Sequence, residues 1–304
     1  MAKRLIRLAQ PLVLGLALIF IALLLRSQWA ELRAYDWRIH AGWLLLSGIL
    51  LVTSWFVEVS MWRTTLSWVG GRVDYAAAVR IWFASILVRY IPGNVWQPLG
   101  MTVLAQRAGV RPEATVASIA LYQAVNLLSV IPFFAGYLLL GGDVGIDLAA
   151  IAPWLAGLAA IPLVIFLARP GWLLGLLNLA LVRVGRSPLD VSLGSAQLLR
   201  LLLVAVGDWL LWGASFAALT ASLDGDVLAQ GVRVGALLFF AYPIAYAVGY
   251  LSFLTPGGLA VREGTLALLL IPVLGATATV AALLMRLWQV VLELLVVVFV
   301  MRDT

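Results

Sequence analysis

The chain has 304 residues, 64% of them hydrophobic and 11% charged, with a mean hydropathy of +1.07; soluble domains carry about 25% charge, so a soluble globule is excluded. One His, His40, and no Cys exclude thiol nucleophiles, disulfides and Cys- or His-rich metal sites, and no cofactor or metal is expected. The formal charge of +6 rests on Arg, Lys3 being the single Lys, and a scattered Arg surplus in so apolar a chain marks topology and lipid-phosphate contact rather than nucleic acid.

Lys3, Arg4 and Arg7 ahead of the apolar stretch Leu12 to Leu25 have the layout of a signal peptide. No small-x-small site follows, and Arg26, Trp29 and Glu31 come instead, so a retained first helix is expected. Apolar segments at about 8–26, 41–62, 113–140, 148–168, 196–220 and 276–301 predict six full spans, at about 20 residues per crossing. Two further segments are interrupted: 76–107 at Ile91-Pro92-Gly93-Asn94, and 232–271 at Thr255-Pro256-Gly257-Gly258. Pro and paired Gly end helices. Ala76 to Arg89 reaches only about 21 Å, too short to cross, which predicts a hairpin that enters and returns. In the second segment, Arg233 to Phe253 is long enough to span, with Pro243 placed to kink it, whereas Ala260 to Ile271 is not; this segment too is assigned as re-entrant. Residues 171–184, with Trp172 near the start and Arg183 near the end, are expected to lie along the interface.

With both interrupted segments as hairpins, Lys3/Arg4/Arg7, Arg63/Arg72, Arg107/Arg111, Arg169/Arg183/Arg186 and Arg302 fall on one side, and the loops bearing Asp143/Asp147 and Asp224/Asp226 on the other. Cytoplasmic loops collect Arg and Lys, so both termini are expected in the cytoplasm, in a cell inner membrane. The exception is the first outer loop, where Arg26, Arg33 and Arg38 outnumber Glu31 and Asp36. The expected architecture is one all-α polytopic bundle over 1–304: six spans and two re-entrant hairpins, the half at about 41–140 inverted relative to the half at about 196–301. The alternative is a bundle with incidental Pro-Gly kinks, since Pro and Gly are common in membrane helices.

Charge at membrane depth is costly and marks candidate sites. These are Glu58, Arg80, Arg89, Asp208, Arg262, Glu263, Arg286 and Glu293, with the polar Asn94, Gln97, Gln123, Asn126 and Gln289 nearby. Arg286, Gln289 and Glu293 share one helical stripe, and Gln123 and Asn126 occupy the matching helix of the first half; Asn126 follows Pro92 by 34 residues and Gln289 follows Pro256 by 33. Helices starting after each break present unpaired N–H groups and a positive dipole end, with Arg89 and Arg262 alongside to bind an anion such as a lipid phosphate. Glu263 and Glu293 would restrain those Arg side chains or bind a coupling cation; alternatively Arg262 with Glu293, or Arg286 with Glu263, are buried pairs that only fix packing. Trp29, Trp37, Trp43, Trp154 and Trp172 read as interfacial, whereas Trp96, just after the first break, is placed either to line the cavity or to pack. Asp224-Gly225-Asp226 resembles the acidic pair of metal-dependent sugar transferases but also suits a turn. No Ser-His-Asp set and no phosphate-binding Gly-Lys loop is visible, so no enzymatic activity is expected.

Arg89-Tyr90-Ile91-Pro92-Gly93-Asn94-Val95-Trp96 and Leu254-Thr255-Pro256-Gly257-Gly258-Leu259-Ala260-Val261-Arg262-Glu263-Gly264 resemble motifs of the lysylphosphatidylglycerol synthase transmembrane region family, also described as flippase-like. The chain departs at Ala260, where Gly is usual, a small change expected to leave the helix start intact. The resemblance covers nearly the whole chain and implies a bundle that binds or translocates lipids, among them aminoacylated phosphatidylglycerol or polyprenyl-phosphate-linked sugars, with a homodimer as a possible assembly. The soluble aminoacyl-transferase domain of that family is not found before Thr304, so lipid aminoacylation is not expected. Alternatives are a membrane-embedded transferase, whose carboxylates would be Asp208, Asp224 or Asp226, and a non-transporting partner of a lipid synthase.

Overall fold

The computed structural model describes residues 37–86, 96–141, 152–183, 187–252 and 260–302, with single positions at 26, 29, 33, 35 and 185. The expected first helix lies outside these residues but for its last position, as do Arg89, Asn94 and both Pro-Gly breaks. Among the described residues there is no strand. In chain order the first helices are α1 (Ala41–Trp68), α2 (Tyr75–Ile86), α3 (Trp96–Arg107), α4 (Pro112–Leu128) and α5 (Ile131–Leu139). They are followed by α6 (Ala152–Ala168), α7 (Gly171–Arg183), α8 (Ser195–Leu223), α9 (Val232–Leu251), α10 (Val261–Leu274) and α11 (Thr277–Met301).

Five segments are long and apolar enough to cross a membrane: α1, α4 with α5 (Pro112–Leu139), α8, α9 and α11. The interior holds Ser, Asp, Arg and Glu, while Leu268 and Phe299 are 70% and 74% exposed, an arrangement that suits lipid as the solvent and would be costly in water. The expected helix 113–140 is interrupted at Ser129 and Val130. Pro132 has no N–H to offer the Leu128 carbonyl and its ring crowds that oxygen, so the helix restarts. α6 and α7 meet at 84° across Arg169-Pro170. The full span expected at about 148–168 is, among the described residues, a 17-residue helix that does not reach span length on its own, and α7 turns sharply away from its axis.

The centre of the bundle is the pair α1 and α8. His40 N–H donates to the Ser222 carbonyl at 2.9 Å, the Ser47 and Ser215 hydroxyls meet at 3.1 Å, and Ser54 Oγ donates to Asp208 Oδ1 at 2.7 Å. Each step of seven forward on α1 is a step of seven backward on α8, so the helices run antiparallel along a heptad seam. Small residues let the backbones approach, as Ser47 and Ser215 do here.

From that seam the two ends of the bundle can be told apart. One end gathers the start of α1, the end of α8 and the end of α5, whose last carbonyls, Leu140 and Gly141, accept from Arg233 of α9 at 2.9 and 2.8 Å. A cation on free C-terminal carbonyls also complements the helix dipole. At the opposite end, Arg63 of α1 donates to the Val73 carbonyl at 3.0 Å, and Gly71 faces Val110. The α2–α3 segment therefore begins and finishes at this second end, its 12-residue helices packed side by side. The α9–α10 segment begins and finishes at the first end, where Tyr137 of α5 donates to the Leu269 carbonyl of α10 at 2.6 Å. The two differ in one respect: α9 is a continuous 20-residue helix, with Pro243 inside it, and is as long as a full span.

Packing repeats across the halves. α1 packs on α2, α4 and α11, and α8 packs on α9, α11 and α4; α2 packs on α3 and α11, and α9 on α10 and α5; α3 packs on α4, and α10 on α11. Exchanging the halves leaves this set unchanged.

Candidate functional site

Between the halves lies a cavity of about 110 Å³. This is below the roughly 300 Å³ at which pockets for drug-sized ligands begin, so it has room only for a small polar group. By helix length, Glu58 on α1 and Gln123 on α4 lie about 15 Å from the nearer bundle end and Trp82 on α2 about 10 Å, which puts the cavity at membrane depth.

The second half supplies the charged wall. Arg262 of α10 and Arg286, Gln289 and Glu293 of α11 line the cavity, the last three 4%, 2% and 2% exposed. Their spacing along α11 places them on one inward stripe. Arg262 Nη2 donates to Gln289 Oε1, Gln289 Nε2 donates to the Tyr242 hydroxyl, and the guanidinium lies 5.5 Å from the Tyr242 ring centre. Glu263 does not line the cavity but stands behind it, with Oε1 3.9 Å from Arg262 Nε and 3.8 Å from Arg286 Nε. The Glu263 carboxylate thus lies within ion-pair range of both guanidinium groups, and Glu293 adds a second carboxylate on the same wall. Of the two packing pairs read from the sequence, the Arg286–Glu263 contact is present.

The first half supplies a wall of aromatic and polar groups that includes one carboxylate, Glu58. Trp82 of α2, Gln97 of α3 and Tyr122 and Gln123 of α4 line the cavity with Trp55 and Glu58 of α1. Glu58 Oε1 accepts from Trp212 Nε1 of α8 at 3.1 Å, and Trp212 stacks on Tyr242 with centroids 5.1 Å apart and planes 9° from parallel. A continuous aromatic layer therefore joins Glu58 to the ring beneath Arg262.

Other sequence candidates fall elsewhere. Asn126 is buried beside α8, where its carbonyl accepts from Trp209 Nε1 at 3.1 Å, and only its neighbour Gln123 reaches the cavity. Residues three apart on a helix differ by about 60° in direction, enough to send the pair to different neighbours. Asp208 does not line the cavity; it belongs to the α1–α8 seam through Ser54. Trp96 is 42% exposed and outside the cavity lining. Arg80 is exposed on α2, near enough to a bundle end for its long side chain to turn outward. Asp224 ends α8 and accepts the Asp226 N–H at 3.2 Å, a turn away from the cavity. Reading charge alone missed the aromatic liners. Tyr242, Tyr246 and Tyr250 recur every four residues on α9, a spacing that puts them on one face, and Tyr246 and Tyr250 line the cavity.

Apolar helices around a buried, charge-bearing cavity define a multi-pass membrane protein with a polar site inside the bilayer. A model of the family described as the lysylphosphatidylglycerol synthase TM region matches residues 10–299, and the chain belongs to that family. It is a membrane protein of a family tied to lipid. A comparison with curated proteins returns no match.

Proposed function

We propose that this chain is a lipid flippase that moves a phosphate-headgroup lipid between leaflets without altering it chemically, in a cell inner membrane with both termini cytoplasmic. The observation that carries this reading is the buried Arg262–Glu263–Arg286 group on the wall of a mid-depth cavity between the two halves. Buried charge is expensive as scaffolding, and the Arg262 and Arg286 guanidinium groups on the cavity wall offer charge-assisted hydrogen bonds that suit a phosphate. An inverted repeat is the second support: an antiparallel α1–α8 seam, contacts that survive exchange of the halves, and interrupted segments entered from opposite ends all fit it. Rocking of such halves about a central site exposes it to each leaflet in turn.

The test is loss of a fluorescent phospholipid from dithionite-accessible positions in proteoliposomes. Arg262→Ala is expected to slow translocation about 100-fold, the scale of losing a buried charge contact with phosphate. Wild-type rates in that variant would end the proposal. A transferase reading predicts instead that Asp224→Ala with Asp226→Ala abolishes function; flippase activity should survive both changes.

A further inference from the structure

Buried indole N–H groups in this fold find acceptors. Trp62 donates to Ser118 Oγ at 3.1 Å, Trp209 to Ser129 Oγ at 2.9 Å and Trp212 to Glu58. Trp82 is 4% exposed, yet its Nε1 has no acceptor among the described residues, and the buried Nε2 of Gln123 has none either. Trp288 and Asn126 also hold unpaired groups, but neither lines the cavity; Trp82 and Gln123 both do, on the wall facing Arg262 and Arg286. The Trp82 ring is pinned edge-to-face on Tyr122, 5.4 Å between centroids and 86° between planes, and is braced by Trp62 at 6.1 Å. Its N–H is therefore preorganised and cannot turn away to find a partner.

We infer that Trp82 and Gln123 form a second subsite, of neutral donors beside the Glu58 carboxylate, that binds the hydroxyl-bearing part of the headgroup, so that the cavity selects a lipid whose phosphate carries a polyol or sugar rather than a terminal amine. This rests on the translocation reading and names its substrate class. An indole N–H only donates, and a buried donor left unsatisfied is costly, so what enters here must accept. Hydroxyl and ring oxygens accept; an ammonium group only donates and would leave both N–H groups unmet. Tyr122 and Trp55 supply apolar faces against which the C–H side of a polyol packs. The two walls divide the headgroup, with phosphate on the Arg side and hydroxyls on the Trp82–Gln123 side.

Native mass spectrometry of the full chain in detergent, titrated with short-chain phosphatidylinositol, phosphatidylethanolamine and phosphatidic acid, tests this. Phosphatidylinositol is expected to bind about 3- to 10-fold more tightly than the other two, the scale of one or two neutral hydrogen bonds. Trp82→Phe keeps the ring and removes the N–H, and Gln123→Leu removes the amide. Each is expected to erase the preference while leaving phosphatidic acid binding unchanged. Equal or tighter binding of phosphatidylethanolamine, or an equal loss for all three lipids in the variants, would overturn the assignment. Failure of every lipid to bind would strike the translocation reading itself, whereas phosphatidic acid binding with no polyol preference would strike this inference alone.

Discussion

The two interrupted segments hold equivalent places in the bundle and bring different chemistry to the space between them. α2 and α3 present Trp82 and Gln97, both neutral; α10, with α11 against it, presents Arg262 and Arg286, backed by Glu263. Matching helix contacts do not require matching side chains. Charge at membrane depth has to be compensated locally, and Glu263 and Glu293 stand with both arginines on the side of α10 and α11. The other wall, where the Glu58 carboxylate accepts from Trp212, presents mainly rings and neutral donors, which recognise shape and hydrogen bonding.

The largest effect should come from breaking that compensation. Glu263→Gln leaves two buried guanidinium groups without their shared counter-charge and is expected to destabilise the protein by about 3–5 kcal/mol, read as thermal unfolding in detergent. Gln97→Ala, on the opposite wall, should cost less than about 1 kcal/mol. Similar losses from both would mean that the walls are not divided as described.

Helix contacts allow a second comparison. A Cβ at Gly213 of α8 would stand 2.6 Å from the Phe239 carbonyl oxygen and 2.9 Å from its Cα, both backbone atoms of α9. At Gly48 of α1 the obstruction is the Trp288 ring at 3.0 Å, a side chain with room to yield. Gly213→Ala should therefore cost about 2–3 kcal/mol and Gly48→Ala about 1 kcal/mol or less, by the same unfolding measurement. Next in size is Gly249→Ala. Its Cβ would stand 2.8 Å from Arg262 Cβ, so the change presses on a cavity residue and should cost about 1–2 kcal/mol. Because it displaces the guanidinium, lipid translocation should fall about tenfold even where the protein remains folded.

Much of this frame was legible in the amino-acid order. Long apolar runs set the helices, and the Arg286, Gln289 and Glu293 spacing specified a single stripe; both Pro-Gly breaks lie outside the described residues, and α9, assigned to a re-entrant segment, is itself long enough to span. Side-chain direction was less accessible. Gln123 and Asn126 carry the same amide and sit one turn apart, yet one meets the cavity and the other α8, a difference set by which helices pack on either side. Asp208 shows the same limit, because its partner Ser54 is 154 positions away and no local pattern links them. The aromatic wall was overlooked for another reason: Trp and Tyr are ordinary in membrane helices, and what sets Trp82 apart, an N–H without an acceptor among the described residues on the wall of a cavity, is visible only in three dimensions.

The smallest predicted effect concerns the one departure from the family motif, which does leave α10 starting at Val261, with the Gly264 N–H bonded to the Ala260 carbonyl at 2.8 Å. That start carries strain, however, because Ala260 has φ +62°, the one non-glycine residue with positive φ among the described residues. A Cβ in this region costs about 1–2 kcal/mol, and glycine avoids the cost while giving back about 0.5–1 kcal/mol through its freer unfolded chain. Ala260→Gly is therefore expected to stabilise the protein by roughly 0.5–1 kcal/mol. Since Arg262 and Glu263 lie in the first turn that Ala260 caps, the relieved backbone also tests whether the arginine geometry depends on that strain. An unchanged translocation rate with a raised melting temperature would make the strain incidental; a slower rate would mean that the bent cap holds Arg262 in its working position.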